Sequence, residues 1–421
     1  MTILSLDDVF LEDRTVLLRI DANCPLNPET HEFLDDMRLR AVVGTINRLV
    51  RSKVVILTHQ SRPGRKDFTS TSGHARELQR LLGRTVRFVD DIHGERAMQA
   101  IESLEAGDIL MLDNARMDPE EVSCKGADLD RQFETQIVQR LSSVTDAFVN
   151  DAFACSHRNS PSITGFTHAL PCIAGDLMLA EHHALSDVLS EPERPCIAVL
   201  GGIKVDDSVR VVSNMLENGI ADEVWPVGGV ANMFLEVMGY QLGEQSSAFL
   251  KNELGSEWEP TCDRIRGLLA LYADRIVLPV DLAANVQGER VGLSLEDLPS
   301  EHPLMDIGVA STLALSAAIK NAGTVILNGP AGVFEIEAFS FGTIEVLNAC
   351  AESDAHVVMG GGHTATLVSQ RRLGRQMGHV STGGGACLEF LAGGILPGFE
   401  SLRISAKRFE VRLDELRAEN R

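Results

Sequence analysis

Two glycine runs stand where a helical pattern begins, and their placement predicts a phosphate-binding site. The apolar run Val357–Met359 is followed by Gly360-Gly361-Gly362-His363-Thr364, and a second run, Ser381-Thr382-Gly383-Gly384-Gly385, precedes the helical pattern 386–391. Unpaired amide hydrogens and the positive end of the helix dipole lie at a helix start, where glycine lets an anion contact the backbone. Two such turns in one short segment predict that a nucleotide's phosphates and a transferred phosphoryl group are held here.

Further glycine-containing turns follow apolar runs earlier in the second half of the chain. In Gly201-Gly202-Ile203-Lys204, a lysine beside paired glycines can reach phosphate oxygens while the backbone lies close, although the pattern is not that of a P-loop. Gly228-Gly229 is another join of a strand to a helix. The octet Asn328–Glu335 combines a tight Gly-Pro turn with an apolar wall and a carboxylate that can accept hydrogen bonds from a ribose.

Cationic side chains gather at predicted strand ends in the first half of the chain. In open parallel sheets, ligands lie beyond the carboxyl ends of the strands. Planar guanidinium groups match pairs of carboxylate or phosphate oxygens. The sequence therefore predicts a pocket for a small, multiply charged anion, formed at or near strand ends by Arg19, Arg38, His59, Arg62, Arg116, His157 and Arg158.

The elements that must position these residues are short apolar runs separated by longer amphipathic stretches. Continuous apolar strands between helices predict parallel sheets that are covered on both faces. Two groups of strands predict two similar α/β domains. The predicted strands are Val16–Asp21, Val54–His59, Val86–Val89, Ile109–Leu112, Ala147–Asn150, Ile197–Leu200, Val224–Val227, Arg275–Val280, Val325–Asn328 and Val357–Gly360.

A helical stretch, Ala174–Leu189, is followed by a proline-rich segment and predicts the domain boundary. We therefore expect a first domain at 1–173, a hinge helix at 174–192, a second domain at 193–400 and a terminal segment at 401–421. The last residues, Ala406–Asn420, predict a charged helix that either packs back on the first domain or frays.

Composition restricts the partners. At 421 residues the chain is long enough for two domains, and its formal charge of −22 disfavours nucleic acid and anionic membranes. The apolar stretches are shorter than the roughly 18–20 residues of a membrane span. The first residues lack a basic segment and an apolar core, so we expect a cytoplasmic protein. Its eight cysteines form no Cys-x-x-Cys, which argues against a zinc knuckle or a disulfide framework.

These motifs, in this order over essentially the whole chain, resemble those of the phosphoglycerate kinases. Each motif is moderately specific alone, and the ordered set is highly specific. The matching stretches are Arg19–Leu26, Thr58–Pro63, Leu112–Arg116, Val149–Arg158, Gly201–Val205, Asn328–Glu335, Gly360–Gly362 and Ser381–Gly385.

The resemblance implies an α/β protein of two Rossmann-like domains with parallel sheets, separated by a cleft and joined by a hinge helix. It implies reversible phosphoryl transfer between 1,3-bisphosphoglycerate plus ADP and 3-phosphoglycerate plus ATP, in glycolysis and gluconeogenesis. Mg²⁺ carried by the nucleotide is the implied cofactor. The expected partners are these small molecules, with no nucleic acid and no membrane, for a monomer or a small homo-oligomer.

The resemblance also implies roles for individual residues. The 3-phosphoglycerate site is matched by Arg19, Asp21, Asn23, Arg38, His59, Arg62, Arg116 and Arg158. The nucleotide site is matched by Gly202, Lys204, Gly228, Asn328, Pro330, Gly332, Val333, Glu335, Gly360, Gly361, Gly362, His363 and Thr364. The transferred phosphoryl group is matched to Ser381, Thr382, Gly383, Gly384 and Gly385, and direct catalytic roles to Arg38, Lys204, Gly361 and Gly384.

Two positions depart from the usual family pattern. Ser208 stands where a second lysine is usual, and His363 stands where an aspartate associated with the metal–nucleotide is usual. The metal ligands are therefore not identified from the sequence. We interpret both departures as marks of a divergent, archaeal-type branch rather than of an inactive enzyme.

Two other functions stay open at the level of sequence. Gly360-x-Gly362-x-x-Ala365 after a strand fits a loose dinucleotide fingerprint, which would suit an NAD-dependent oxidoreductase. That pattern lies late in the chain and lacks a clear ribose-binding acid. The second alternative is a catalytically silent homologue that binds anions, which the substitutions at Ser208 and His363 would favour.

Overall fold

A computed structural model describes residues 3–410, which form two units of contacting residues. The first unit runs to His182 and is completed by residues from Ile395 onward, and the second unit is His183–Gly394. In the part of the chain that the structure describes, no helix is both long enough and apolar enough to cross a bilayer.

The first unit is built on a parallel sheet of six strands in the order β3-β4-β2-β1-β5-β6. The central strands are mostly apolar and nearly all of their residues are buried, as a parallel sheet covered on both faces requires. The strands are β1 Thr15–Ile20, β2 Lys53–Leu57, β3 Arg87–Phe88, β4 Ile109–Met111, β5 Ala147–Asp151 and β6 Cys172–Ala174.

Helices cover this sheet and connect its strands. Several are only one or two turns long, and they place the residues that follow each strand. The helices are α1 Met37–Ala41, α2 Val43–Arg48, α3 Ser72–Leu82, α4 Glu95–Glu102, α5 Pro119–Ser123, α6 Leu129–Phe133, α7 Gln136–Ser142, α8 Pro161–Thr164 and α9 Asp176–Ser190. The boundary between the two units falls inside α9.

The second unit contains a parallel sheet of five strands, in the order β14-β13-β12-β7-β8, and an antiparallel sheet of three strands, in the order β10-β9-β11. Strand β7 has β12 on one side and β8 on the other, so the connections diverge there and leave a ligand crevice at the strand ends. The strands are β7 Cys196–Leu200, β8 Glu223–Pro226, β9 Asp281–Val286, β10 Glu289–Ser294, β11 Leu304–Ile307, β12 Thr324–Asn328, β13 His356–Gly360 and β14 His379–Val380.

The helices of the second unit begin directly after the strands whose loops carry the glycine motifs. They are α10 Val205–Glu217, α11 Gly228–Val237, α12 Glu244–Leu254, α13 Trp258–Tyr272, α14 Val309–Lys320, α15 Phe341–Glu352, α16 Gly362–Gln370 and α17 Gly385–Leu391. Both predicted helix starts, after Gly361 and after Gly384, are confirmed.

The last described helix, α18 Pro397–Arg408, belongs to the first unit. Gly398 N donates to Ser156 O at 2.8 Å, and Ser405 Oγ donates to Leu170 O at 2.9 Å. The ring of Phe399 lies 6.1 Å from that of Phe153. The helix begins earlier than the predicted segment Ala406–Asn420, most of which lies outside the described residues.

The predicted fold class, an α/β protein with two parallel-sheet domains, is confirmed. One predicted strand is wrong: Arg275–Val280 makes only an isolated bridge between Val224 and Ile276. Pro279 has no amide hydrogen to donate to a neighbouring strand. The amide of Val280 bonds instead to Ser311 Oγ at 2.9 Å.

The carboxyl end of β5 is joined to the first turn of α9 by a buried carboxylate. Asp151 Oδ1 accepts a hydrogen bond from Met178 N at 3.0 Å. Burial raises the pKa of Asp151 from 3.8 to about 6. The folded state therefore binds a proton more tightly than the unfolded state, and the stability this group contributes falls as pH rises from about 4 to about 6.

Replacing Asp151 with asparagine is expected to remove this pH dependence, because the amide keeps an acceptor oxygen but carries no charge. The free energy of unfolding of the variant, relative to the wild type, should rise by up to about 3 kcal/mol between about pH 4 and about pH 7. Denaturant unfolding at a series of pH values measures this difference. A difference that is the same at every pH would contradict the prediction.

Candidate active site

The cationic residues of the first unit come from the carboxyl ends of adjacent strands. Arg19 is the penultimate residue of β1, where it pairs in register with Leu57 of β2 and Asn150 of β5. His59 follows β2 by two residues, and Arg158 lies in the segment after β5. The parallel register therefore brings these three side chains to one edge of the sheet.

His59 lies between two guanidinium groups. Arg19 Nη2 is 3.1 Å from its Nδ1, and Arg158 Nη1 is 3.4 Å from its Nε2. Burial lowers the pKa of His59 well below its usual range, and the charges of Arg19, Arg116 and Arg38 lower this pKa further. The imidazole is therefore neutral at pH 7 and carries a single N–H group.

Arg38 is held by the segment that follows β1. Its Nη1 donates to Asp21 Oδ2, and Asp21 Oδ1 accepts from Asn23 N at 3.0 Å. Asn23 Oδ1 in turn accepts from Ser61 N at 2.7 Å, which joins this segment to the one after β2. Burial lowers the pKa of Arg38, but 28% of its side chain is exposed, so the fixed guanidinium still faces solvent.

Arg116 occupies a short 3₁₀ turn after β4, and its Nη1 donates to Ser61 O. Burial lowers the pKa of Arg116, and the positive charges of Arg19 and Arg62 lower it further. Arg62 is itself exposed. The structure thus brings seven of the predicted acid-substrate residues together and places Arg62 at the exposed margin; we call this set of eight residues the cationic cluster.

Asp21, His59 and Cys155 place ligand-type atoms within 4.8 Å of one another. This spacing suits a metal ion, but the surrounding positive charges disfavour one. Arg38 pairs with Asp21, and arginines face both nitrogens of His59. A cation at this point would be repelled by these guanidinium groups, so the cluster favours an anion.

In the second unit, the loops after β7 and β12 meet backbone to backbone. Gly201 N donates to Asn328 O at 2.8 Å, and Gly202 N donates to Pro330 O at 2.9 Å. A Cβ on Gly329 would lie 2.3 Å from Gly201 O, and Gly329 has φ +82. Glycine is therefore required there for both space and conformation.

The loop after β8 joins the same arrangement. A Cβ on Gly228 would lie 2.9 Å from Pro330 O, and one on Gly229 would lie 2.7 Å from Gly202 O. The predicted residues Gly202, Gly228 and Pro330 are thus brought together at the carboxyl ends of β7, β8 and β12.

A buried acceptor lies where β12 and β13 end. Asn328 is 3% exposed, and its Oδ1 has no hydrogen-bond partner among the described residues. A Cβ on Gly360 would lie 2.6 Å from this oxygen, so glycine keeps the space beside it open. Gly361, with φ +96, then turns the chain into α16, whose first amides have no acceptor within the helix.

The second glycine run turns the chain into α17. Gly383 N donates to the buried Ser381 Oγ at 3.0 Å. Gly384 has φ +44, and no atom lies within 4 Å of the position that a Cβ would take. Thr382 and Gly385 flank this open turn. The space beside Gly384 leaves room for an anion at the start of α17.

The remaining predicted residues of the second unit occupy both exposed and buried positions around these loops. Lys204 is exposed at the start of α10, and Ser208, one turn later, is buried with its Oγ unpartnered among the described residues. Gly332 would clash with Asp306 if it carried a Cβ, at 2.4 Å. Val333, Glu335 and Gly362 are exposed, and Thr364 is buried. The side chain of His363 lies outside what the structure describes.

Sequence reasoning missed the residues that support these loops. Asp306 Oδ2 accepts from Gly342 N at 2.9 Å and lies against Gly332, so it holds the octet 328–335 from behind. Cys155 lies inside the cationic cluster. Glu121, buried in α5, had no signal in the sequence because a glutamate in a short charged helix is typical of a surface.

Guanidinium groups gathered at one set of strand ends and glycine-lined helix starts at another form the arrangement expected of a nucleotide-dependent phosphotransferase. The family model "Phosphoglycerate kinase" matches residues 6–394. The chain therefore belongs to the phosphoglycerate kinase family.

Known members resemble it over nearly their whole length. It is 44% identical to the phosphoglycerate kinase of Methanosarcina mazei over 412 residues, which covers 97% of this chain and 96% of that one. It is 40% identical to that of Methanothermus fervidus over 406 residues, covering 96% and 98%. The crystal structure of the enzyme from Pyrococcus horikoshii superposes with a TM-score of 0.89 at 38% identity, covering 96% and 100%.

These organisms are archaea, which confirms the predicted archaeal-type branch. The activity follows from the family: the chain is a phosphotransferase with a carboxyl group as acceptor, and it has phosphoglycerate kinase activity in glycolysis and gluconeogenesis. The loose dinucleotide fingerprint at Gly360 is therefore part of a kinase loop and not evidence for an oxidoreductase.

Proposed function

We propose that the acid substrate, 3-phosphoglycerate or 1,3-bisphosphoglycerate, binds at the cationic cluster of the first unit. The observation that carries this assignment is the neutral His59 between Arg19 and Arg158. Several guanidinium groups held together at a sheet edge need an anion to balance them, and planar guanidinium groups match both phosphate and carboxylate. Asp21 and Asn23 suit the hydroxyl group of a glycerate.

The nucleotide is assigned to the glycine-lined strand ends of the second unit. Amides at the start of α16 and the close-packed loops around Gly202 and Pro330 suit the phosphates. The exposed Val333 and Glu335 suit the base and the ribose. The turn Ser381–Gly385 at the start of α17 suits the phosphoryl group in transit, and the open space at Gly384 supports this placement.

The described residues fit Mg²⁺ carried by the nucleotide. Mg²⁺ prefers oxygen ligands and is often held by phosphate oxygens, waters and one or two protein groups. The unpartnered Oδ1 of Asn328 is a buried oxygen of the required kind. When bound, the ion would neutralise charge on the nucleotide phosphates.

Phosphoryl transfer of this kind requires in-line positioning and stabilisation of negative charge, with no nucleophile from the protein. Arg38 would bind the acid and the migrating group, while Lys204 and the amides of Gly361 and Gly384 would stabilise the charge. Because the two substrates are assigned to different units, transfer requires them to be brought together and water to be excluded. The substrates also suit a cytoplasmic enzyme.

A coupled assay with ATP and 3-phosphoglycerate, repeated with Mg²⁺, Mn²⁺, Ca²⁺ and no metal, tests the whole assignment. We expect turnover that saturates in both substrates and depends on Mg²⁺. Absence of turnover with every metal, although both substrates bind, would contradict the roles proposed for Arg38, Lys204 and the glycine amides. The same assay with other purine nucleotides would establish the nucleotide preference.

A further inference from the structure

A buried hydrogen-bond chain runs away from the cationic cluster into the first unit. Arg19 Nε donates to Ser162 Oγ at 3.2 Å, and Ser162 Oγ donates to Glu121 Oε1 at 2.7 Å. The direction of the chain is fixed, because a guanidinium can only donate and the hydroxyl hydrogen is directed to the carboxylate. At its other end, Arg19 Nη2 contacts His59 Nδ1 at 3.1 Å.

Glu121 is held at the end of this chain by burial and by further hydrogen bonds. It is only 6% exposed, and its carboxylate also accepts from Ser160 Oγ at 3.0 Å and from Ser162 N at 2.8 Å. Burial raises the pKa of Glu121, while these donors and the charge of Arg19 lower it. Arg19 is 2% exposed, so each of the two buried charges requires the other.

By holding Arg19 against the ring, this chain decides which nitrogen of His59 carries its single proton. Arg19 and Arg158 can both only donate, and a neutral ring can accept from only one of them. The contact of Arg19 with Nδ1, at 3.1 Å, is shorter than that of Arg158 with Nε2, at 3.4 Å, so Nδ1 is the acceptor and Nε2 carries the hydrogen. Arg158 Nη1, 3.4 Å from Nε2, is then a second donor rather than a partner of the ring. The Nε2–H group of His59 and the Nη1–H group of Arg158 can therefore both donate to the same anion.

We propose that Glu121 is a positioning residue for the acid substrate: acting through Ser162 and Arg19, it fixes His59 as the Nε2–H tautomer that donates to the substrate. This proposal rests on the proposed function in that it takes the cationic cluster as the site of 3-phosphoglycerate. Glu121 itself touches no substrate. The first unit thereby holds a neutral imidazole as a directed donor rather than as a base.

The test compares Glu121→Gln with Glu120→Gln in the full-length enzyme. Both substitutions remove one negative charge from α5, but Glu120 bonds to Gln136 N at 2.7 Å and is not part of the chain to Arg19. We expect Glu121→Gln to raise KM for 3-phosphoglycerate about tenfold and to leave KM for ATP within about twofold, because a charge-assisted hydrogen bond is lost only on the acid side. Glu120→Gln should leave both constants unchanged.

The ¹⁵N NMR signals of the His59 ring, assigned with a His59→Asn variant, report the tautomer directly and need no substrate. The wild type and Glu120→Gln should show the Nε2–H form, and Glu121→Gln should show a mixture of tautomers. Ser162→Ala, which breaks the chain but keeps the carboxylate, should give the same mixture, whereas Ser162→Thr should restore the wild-type form. Equal rises of both KM values, or an unchanged ring tautomer in Glu121→Gln, would overturn the proposal.

The two readouts separate this proposal from the assignment of the substrates. If the wild type shows the Nε2–H tautomer and loses it in Glu121→Gln, but neither protein is saturated by 3-phosphoglycerate, the hydrogen-bond chain stands and the proposed substrate is wrong. If the wild type is saturated by 3-phosphoglycerate and its ring is the Nδ1–H form, the substrate stands and the role of Glu121 is refuted.

Discussion

Replacing Arg38 with alanine is expected to lower kcat about 10³-fold or more while leaving the fold intact. The guanidinium is anchored by Asp21 and partly faces solvent, so it is positioned before the substrate arrives. An arginine that neutralises charge on a phosphoryl group in transit contributes about 10³- to 10⁵-fold in kcat in comparable enzymes. Steady-state kinetics in both directions, with circular dichroism to confirm folding, measures the effect.

Arg40→Ala is the matched control for this prediction. Arg40 lies on the same short helix, is exposed, and pairs with Asp36 at 2.6 Å on the surface. Because exposed ion pairs contribute little, this variant should keep kcat and both KM values within about twofold of the wild type. Arg38→Lys should recover only part of the activity, since an ammonium group cannot form the paired contact of a guanidinium. A near-normal kcat in Arg38→Ala would refute the role assigned to this residue.

The parallel sheets were predictable because their strands are continuous apolar runs. Such runs, for example Val54–Leu57 and Val325–Leu327, can be buried only where helices cover both faces of a sheet. The run at 275–280 is also mostly apolar but makes only a single bridge, because Pro279 has no amide hydrogen and the amide of Val280 bonds to Ser311. The composition of a segment does not reveal which acceptor each of its amides bonds to.

The antiparallel hairpin β9–β10 was missed for a different reason. Its second strand is mostly exposed and alternates weakly, so it lacks the apolar signal of the other strands. Gln287 and Gly288 both have positive φ, at 56 and 96, as a tight two-residue hairpin turn requires. A glutamine–glycine pair is a weaker turn signal than asparagine–glycine, and the turn was therefore not recognised.

The residues that touch substrate could be proposed from the sequence, whereas those that support them could not. Arginines, glycines and a lysine at strand ends have types and positions that suggest phosphate chemistry. Glu121 and Ser162 are 41 residues apart and meet only because α5 and α8 pack together. Their contact depends on tertiary packing, which a single sequence does not reveal.

Lys204 is the exposed residue at the start of α10, beside the paired glycines that follow β7. Ser208 stands where the family pattern has a second lysine, so Lys204 alone supplies the positive charge in the segment 204–208. A charge that acts on the migrating phosphoryl group stabilises the transition state more than the bound nucleotide. Lys204→Ala should therefore lower kcat about 10²-fold and raise KM for ADP much less.

Lys320→Ala is the matched control, because Lys320 is an exposed lysine of the same unit that pairs with Glu352 at 2.8 Å. Lys320→Ala should keep the kcat and the KM for ADP of the wild type. Measuring ADP affinity separately, by titration without the acid substrate, distinguishes binding from catalysis in Lys204→Ala. An unchanged kcat with a raised KM for ADP would make Lys204 a binding residue alone, and the stabilisation of the migrating group would then depend on Arg38 and the glycine amides at α17.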